Sequence, residues 1–269
     1  MEHITTLSLE LKPENGFERP KAGVCSLGPM LQSVLMERAD PAYAEQLHAS
    51  SFNPYSQYCF ESNDGGIVWR ICALTDEAAQ LLLEPVRAIE SFKLRNLGKT
   101  FAVAKTTCET VSLAHVLAAL EQGTDATFRI RFASPTAFKS KGQYVIMPDI
   151  RLIFQNLLMH YNQVYAGDNE IDDDTISYIV AHTRITSYNL RSHYFPRTMG
   201  GTDKIPAFVG GLALHVSGPQ SLKGLVSMLL TFGVASGVGI KTSMGMGGVL
   251  CARSASNVKP VEQGGSVGR

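Results

Sequence analysis

Hydrophobic and polar positions follow two different periods along the first half of the chain, and the periods succeed each other in a regular order. Residues 4–11 alternate at the two-residue spacing of a strand, and residues 30–48 carry apolar side chains at the spacing of an amphipathic helix. Pro41 is expected to break that helix into two pieces, because proline lacks the amide that a helix interior needs.

The rest of this half predicts a hairpin, a second helix and two more strands. The residues of Asn63-Asp-Gly-Gly66 strongly favour a turn, and they lie between two segments whose residues favour strands. Thr75 is expected to cap the second helix, with Asp76 and Glu77 in its first turn, where the helix dipole favours acids. The predicted segments are 58–62, 67–74, 76–87, 89–94 and 101–108. With the strand material at 89–94 and 101–108 counted together, the order is β-α-β-β-α-β.

The second half repeats this order after a connecting helix at 112–120 and a link at Gln122-Gly123-Thr124. Its predicted segments are strand 126–132, helix 149–164, strands 176–189 and 207–216, helix 222–232 and strand 246–252. The repeat predicts an α+β fold with two tandem ferredoxin-like (RRM-like) domains, 1–122 and 123–254. Residues 255–269 are polar and glycine-rich, so we expect a disordered tail there.

This topology is shared with RRM modules, whose open sheet binds RNA. We find no RNP1 aromatic pattern on any predicted strand, so we expect RNA, if bound, to lie away from a standard RRM face.

The segment Gly237-Val-Gly-Ile-Lys-Thr-Ser-Met-Gly-Met-Gly-Gly248, called the glycine loop below, follows a predicted helix and precedes a predicted strand. Phosphate-binding loops of nucleotide folds have the opposite polarity, because their glycines follow a strand and open a helix. The loop also misses the P-loop pattern, since Ile240 rather than glycine precedes Lys241 and Thr242. A nucleotide-binding enzyme that uses this loop is therefore disfavoured.

A polyanion with an accessible backbone, such as RNA, is a natural ligand for the glycine loop. Glycines let backbone amides approach an anion, and Lys241 adds a cation beside the hydroxyls of Thr242 and Ser243. The predicted RNA-binding residues of the loop are Gly237, Gly239, Lys241, Thr242, Ser243, Gly245 and Gly247. The alternative is a flexible connection whose glycines only permit tight turns.

Composition indicates a globular chain and limits where a polyanion can bind. Of 269 residues, 45% are hydrophobic and 18% are charged, which supplies a packed core and excludes general disorder. The formal net charge is 0 and the pI is about 7.0, so any basic surface must be local. Three basic clusters qualify, although a solvated face is the alternative for each. They are Lys93, Arg95, Lys99 and Lys105; Arg129, Arg131, Lys139 and Lys141; and Arg184, Arg191, Arg197 and Lys204.

Five scattered cysteines with no C-x-x-C pair disfavour a zinc site or a disulfide framework. No N-terminal segment resembles a signal peptide and no apolar run reaches membrane-spanning length, so we expect a cytoplasmic protein without membrane contact.

Several segments of the chain together resemble one family. They are the glycine loop, Phe132-Ala-Ser-Pro-Thr-Ala-Phe138, Met147-Pro-Asp149 with Phe154, Phe208-Val-Gly-Gly211, and Leu47-His48 at a helix end. This set resembles the CRISPR-associated repeat-processing endoribonucleases, the family numbered six among the Cas proteins, within the RAMP superfamily. The resemblance covers nearly the whole chain, and the glycine loop with its central lysine is its most specific part.

The resemblance implies cleavage within the repeats of a CRISPR precursor transcript to give crRNA. It implies no metal and no cofactor: a ribose 2′-hydroxyl attacks the adjacent phosphate and leaves a 2′,3′-cyclic phosphate and a 5′-hydroxyl. The expected partners are repeat RNA, crRNA and proteins of a CRISPR effector complex, and the expected state is a monomer or homodimer. Within the basic clusters, Arg129, Arg131, Lys139, Lys141, Arg191 and Arg197 are predicted RNA contacts.

His48 is the predicted general acid or base, because it aligns with a histidine that this family often places at the end of the first helix. A histidine side chain has an unperturbed pKa of about 6.5 and exchanges protons near neutrality. The alternative is a helix-terminal histidine that only stabilises the helix dipole. Tyr55 and Lys241 are predicted to support it.

The chain departs from the family at two positions around His48. Some members carry a tyrosine fifteen residues earlier, where this chain has Ser33, and a lysine about six residues later, where it has Pro54. These departures favour a second hypothesis, a non-catalytic RAMP-type subunit that holds crRNA in an effector complex.

Three rival histidines and one acidic run have simpler interpretations. His160 lies on an apolar helix and is expected to be a partly buried, hydrogen-bonded side chain. His182, on a predicted strand, and His193, beside Arg191 and Arg197, are candidate RNA contacts and rank below His48 for proton transfer. Asp172-Asp-Asp174 is interpreted as a solvated loop and helix cap rather than a magnesium site.

Overall fold

The computed structural model describes residues 2–122, 126–167, 170–197 and 203–254. Its first half forms a five-stranded antiparallel sheet with strand order β2-β3-β1-β5-β4. The elements are β1 (His3–Pro13), α1 (Gly28–Arg38), α2 (Pro41–Ala49), β2 (Tyr55–Glu61), β3 (Ile67–Ala73), α3 (Asp76–Ala78), α4 (Glu84–Arg87), β4 (Ser91–Leu94) and β5 (Lys99–Ser112). The predicted β-α-β-β-α-β order is confirmed, and the strand predicted at 89–94 forms β4, an edge strand beside β5.

Local sequence explains the helix limits of this half. Asp40 caps α2 by accepting the Tyr43 amide at 3.0 Å, and Pro41 occupies the first turn, so the predicted break in the long helix is confirmed. Thr75 accepts the Ala78 amide at 3.1 Å and caps α3. A π-helical stretch, Ala79–Leu83, then joins α3 to α4, where Pro85 has no amide to donate.

The second half forms a four-stranded antiparallel sheet with order β11-β6-β10-β9. Its elements are α5 (Leu113–Gln122), β6 (Thr127–Thr136), β7 (Phe138–Ser140), β8 (Gln143–Val145), α6 (Ile150–Tyr161), α7 (Asp173–His182), β9 (Thr183–Pro196), β10 (Lys204–Val216), α8 (Gln220–Ser236) and β11 (Val249–Ser254). With the short β7–β8 hairpin set aside, the last strand lies beside the first in both sheets. The two ferredoxin-like units are confirmed.

The division at residues 122 and 123 stays a prediction. The predicted link lies mostly outside the described residues, and the helix before it, α5, packs against α8 of the second half. Val116 of α5 is buried in the same core as Leu229 of α8.

The predicted strand at 176–189 is wrong over its first half, because α7 extends to His182. Asp172 caps this helix by accepting the Asp174 amide at 3.1 Å and the Thr175 hydroxyl at 2.5 Å, which confirms the helix-cap interpretation of the acidic run. Ile176 and Ile179 are fully buried at helical spacing, although the apolar residues here also alternate. His182 therefore ends a helix instead of lying on a strand.

No helix in the described part of the chain is long and apolar enough to cross a membrane. The predicted disordered tail, 255–269, lies outside the described residues.

Candidate RNA-binding and cleavage site

The glycine loop connects the end of α8 to the start of β11. Gly237 follows the last helical residue with a φ of 70°, and a short 3-10 turn, Thr242–Met244, lies at the tip of the loop. The loop thus has the helix-to-strand polarity that the sequence predicts. Its glycines do not form the phosphate cradle of a nucleotide fold, which opens a helix.

Most positions in this loop require glycine because neighbouring atoms leave no room for a side chain, and not because the backbone amides are exposed. A Cβ added to Gly245 would lie 2.8 Å from Gly28 Cα, at the start of α1, and a Cβ on Gly248 would collide with the Tyr58 ring on β2. Gly237, Gly239 and Gly247 are buried with positive φ and face neighbouring chain just as closely. Gly245 and Gly248 therefore let the second half of the chain dock onto the first, while Gly237, Gly239 and Gly247 let the loop pack within the second half. Direct contact of these glycines with RNA stays a prediction.

Hydrogen bonds from the 134–137 segment anchor the glycine loop. Pro135 and Ala137 carbonyls accept the Gly247 and Ile240 amides at 3.0 Å each, and the Ser134 hydroxyl accepts the Gly248 amide at 2.8 Å. Two motifs that are more than a hundred residues apart in the sequence therefore form one structural unit.

Lys241 stands at the tip of the glycine loop in a left-handed conformation, with a φ of 56°. Its Nζ lies 3.3 Å from Met244 Sδ, and partial burial and nearby Arg197 both lower the pKa of the lysine. Thr242 packs against Gly237 and Gly247. The tip thus offers a cation and the Ser243 hydroxyl beside α1 and β2.

His48 is the second-last residue of α2, and its side chain is exposed. The segment that follows it runs to the glycine loop, where Asn53 Nδ2 donates to Ser243 Oγ at 3.4 Å. The sequence places His48 and the loop in different domains. The fold brings their neighbouring segments into contact.

Tyr55 lies between this segment and the loop, but it is only 1% exposed. Its hydroxyl accepts from Gln32 Nε2 at 3.4 Å and also interacts with Ser243, while burial raises the pKa of the phenol. Tyr55 therefore stays protonated and contacts the loop tip. Ser33 is exposed and bonds the Pro29 carbonyl, so it does not take the place of a tyrosine hydroxyl.

The predicted basic contacts lie in two groups. Arg129 and Arg131 project from β6 on the outer face of the second sheet, which is the face turned away from its helices, and both are exposed. The four strands of this sheet contain no aspartate or glutamate, although the whole chain is neutral. Arg191, on β9 of the same sheet, is also exposed.

The second group surrounds the glycine loop tip. Lys139 pairs across the β7–β8 hairpin with Tyr144, which couples electrostatically to Arg197. Lys141 forms the hairpin turn with a φ of 48°. Arg197 also forms an ion pair with Asp203 at 2.8 Å and acts on Lys241. The hairpin, the end of β9 and the loop tip are thus one basic neighbourhood.

The rival histidines have structural surroundings. His160 is 7% exposed, and its Nε2 bonds Asn156, which confirms the expected buried, hydrogen-bonded role. His182 bonds the Tyr178 carbonyl at 3.0 Å within α7. His193 is half-buried, and burial lowers its pKa. Across the described ranges, no three His, Cys, Asp or Glu side chains come together as a metal-binding group.

Sequence reasoning missed Asn156, Gln57 and Gly28, which all contact the glycine loop. Gln57 is fully buried, and its Nε2 donates to the carbonyls of Gly28 and Ser243 at 3.0 and 3.2 Å. Gln57 carries no signal in the sequence, because β2 also contains the polar residues Ser56 and Glu61. Asn156 sits at an ordinary polar position of an amphipathic helix and carries no signal either.

Comparison with known proteins places the chain in one family. The model of the family described as CRISPR-associated endoribonuclease Cas6 matches residues 130–249. A CRISPR-associated endoribonuclease Cas6 from Streptococcus thermophilus is 36% identical over 234 residues, which are 87% of this chain and 94% of that protein. One from Mycobacterium tuberculosis is 35% identical over 251 residues, 92% of this chain and 78% of that protein.

A solved structure agrees with the sequence relatives. A Cas6 protein in a product complex superposes with a TM-score of 0.73 at 25% identity, covering 94% of this chain and 100% of that one. Its fold is the same pair of units described above. The chain belongs to the Cas6 family of CRISPR-associated endoribonucleases.

Proposed function

We propose that this protein cleaves CRISPR precursor transcripts within their repeats to give crRNA. The observation that carries the proposal is the Asn53–Ser243 contact, which joins the segment after the exposed His48 to the tip of the glycine loop. This contact supports a proton-transfer group acting near a candidate RNA-backbone site, in a member of an endoribonuclease family.

The chemistry asks little of the protein, because the nucleophile is a 2′-hydroxyl of the substrate itself. The protein must hold that oxygen in line with the adjacent phosphate, move a proton and offset charge on the phosphorane. In this proposal His48 moves the proton and Lys241 offsets the charge. The products are a 2′,3′-cyclic phosphate and a 5′-hydroxyl, and no metal enters the reaction.

We propose that RNA follows the basic side chains of the second half toward this surface. Arginines on an acid-free sheet bind phosphates without reading sequence, and the loop tip adds Lys241, Thr242 and Ser243. The glycines shape the loop. We also propose that the protein contacts proteins of a CRISPR effector complex and that it is a monomer or a homodimer.

Product analysis tests the reaction. The protein is incubated with a labelled repeat RNA from a neighbouring CRISPR array in excess EDTA, and the ends of the fragments are determined. A single cut with a cyclic phosphate on the upstream fragment is expected. No product in EDTA with recovery on adding magnesium would overturn the metal-free reaction, and no product under either condition would overturn cleavage.

A second candidate function is a non-catalytic subunit that holds crRNA. Ser33 and Pro54, at the positions where some relatives carry a tyrosine and a lysine, favour it, as does the burial of Tyr55. Tight repeat binding without cleavage under any condition would select this function.

A further inference from the structure

Asn156 and His160 lie one turn apart on α6 and face the glycine loop. Asn156 Oδ1 accepts the Gly239 amide at 2.7 Å, while Asn156 Nδ2 lies 3.5 Å from the Gly239 carbonyl and 3.2 Å from His160 Nε2. One side chain thus binds both backbone groups of a loop glycine. Neither residue belongs to the candidate cleavage chemistry described above.

The Gly239 amide fixes which way the Asn156 side chain points, and Asn156 in turn fixes the tautomer of His160. The histidine is 7% exposed, and burial lowers its pKa to about 4, so the ring is neutral at physiological pH. Asn156 Nδ2 can only donate, so His160 Nε2 must accept and the ring proton sits on Nδ1. Within the described residues Nδ1 has no partner, so this buried donor is left unsatisfied while Nε2 serves Asn156.

The same histidine contacts the segment that follows His48. The Phe52 ring packs against the His160 ring with centroids 5.4 Å apart. Phe52 is held in a tight turn, in which its amide donates to Ser50 Oγ at 3.2 Å and its carbonyl accepts from the same hydroxyl. The next residue, Asn53, bonds the loop tip at Ser243. The pair on α6 therefore supports both sides of the Asn53–Ser243 contact.

We propose that Asn156 and His160 are positioning residues that hold the glycine loop and the segment after His48 in the arrangement needed for RNA cleavage. The inference rests on the proposed function. Neither side chain has to touch RNA, because the pair acts through Gly239 on one side and through Phe52 on the other.

Single-turnover cleavage and RNA affinity, measured separately, test this inference. Asn156→Ala and His160→Leu are expected to slow cleavage at least about tenfold while changing the repeat-RNA Kd less than about threefold, because the basic sheet is untouched and small displacements of catalytic groups are costly. His160→Gln can still accept from Asn156 and is expected to keep most of the parent rate. Gln155→Ala, on the same helical turn, is the matched control.

The outcomes separate the two proposals. Parent-like cleavage rates in Asn156→Ala and His160→Leu, even with lowered melting temperatures, would show that the pair only stabilises the fold. If His160→Gln and His160→Leu slow cleavage equally, accepting a hydrogen bond from Asn156 is not what residue 160 contributes to cleavage. A parent protein that does not cleave would overturn the proposed function itself. Should Asn156→Ala fail to fold, the two His160 variants carry the same test.

Discussion

Replacing Gly245 by alanine is expected to destabilise the docking of the glycine loop onto α1. The residue has a φ of 108°, and an added Cβ would lie 2.8 Å from Gly28 Cα, a backbone atom that cannot rotate away. A non-glycine residue at such a φ costs about 1–3 kcal/mol. Forcing an extra carbon into a packed contact costs about 1–3 kcal/mol more.

The summed loss of about 2–6 kcal/mol is large beside a typical free energy of unfolding of about 5–15 kcal/mol. Gly98→Ala is the matched control, because Gly98 also has positive φ, 63°, but an added Cβ would meet nothing within 4 Å. Both variants place alanine at a positive φ and share the gain from a less flexible unfolded chain. Their difference contains the contact with α1 and the extra strain of alanine at 108° relative to 63°.

Urea denaturation of the parent and both variants measures this difference. Gly245→Ala is expected to be less stable than Gly98→Ala by at least about 1 kcal/mol, the lower end of the packing cost. Gly28→Ala approaches the same contact from the other side, with its Cβ 2.5 Å from the Met244 carbonyl oxygen, and should also lose stability despite better helix propensity. Equal stabilities of Gly245→Ala and Gly98→Ala would refute the close-packing role of the loop glycines.

Three further predictions concern what the second half of the chain binds. The double variant Arg129→Ala/Arg131→Ala should bind repeat RNA more weakly, and the salt dependence of its binding should fall by about two phosphate contacts. Arg95→Ala, on an exposed turn of the first half, should change neither the affinity nor its salt dependence. Titrations of RNA binding at several salt concentrations measure both. Since the pKa of Lys241 is lowered, the lysine loses its charge at a lower pH than usual. RNA affinity should therefore fall in alkaline buffer for the parent, and it should fall less for Lys241→Arg, which stays charged. Identical pH profiles of the two proteins would remove Lys241 from the RNA interface. ATP, GTP and NAD should leave the melting temperature unchanged, because the loop glycines are packed against protein, and a rise with saturating nucleotide would contradict this.

The order of elements was predictable because each depends on local periodicity and turn chemistry. The break at Pro41, the cap at Thr75 and the helix-to-strand polarity of the glycine loop all follow from residues next to one another in sequence. The predicted strand at 176 fails because Ile176, Tyr178 and Val180 alternate like a strand, while Ile176 and Ile179 also have helical spacing. The Asp172 cap decides for the helix.

Contacts between distant segments could not be predicted from these patterns. The sequence interpretation treats the loop glycines as exposed amides, but Gly28 and Tyr58 occupy the space beside two of them. No local pattern pairs Asn156 with Gly239 or Asn53 with Ser243, because tertiary packing alone creates those contacts. The sequence therefore indicates which residues carry chemistry, and the fold shows what holds them together.

The cleavage rate of His48→Ala tests the central claim most directly. Repeat RNA is cleaved under single-turnover conditions in EDTA by the parent, by His48→Ala and by His115→Ala, which removes another exposed histidine, on α5. General acid and base catalysis contributes about 10²–10⁴-fold, so His48→Ala should be slower by at least about a hundredfold at unchanged RNA affinity, and His115→Ala should match the parent. Cleavage by His48→Ala at the parent rate would contradict the account.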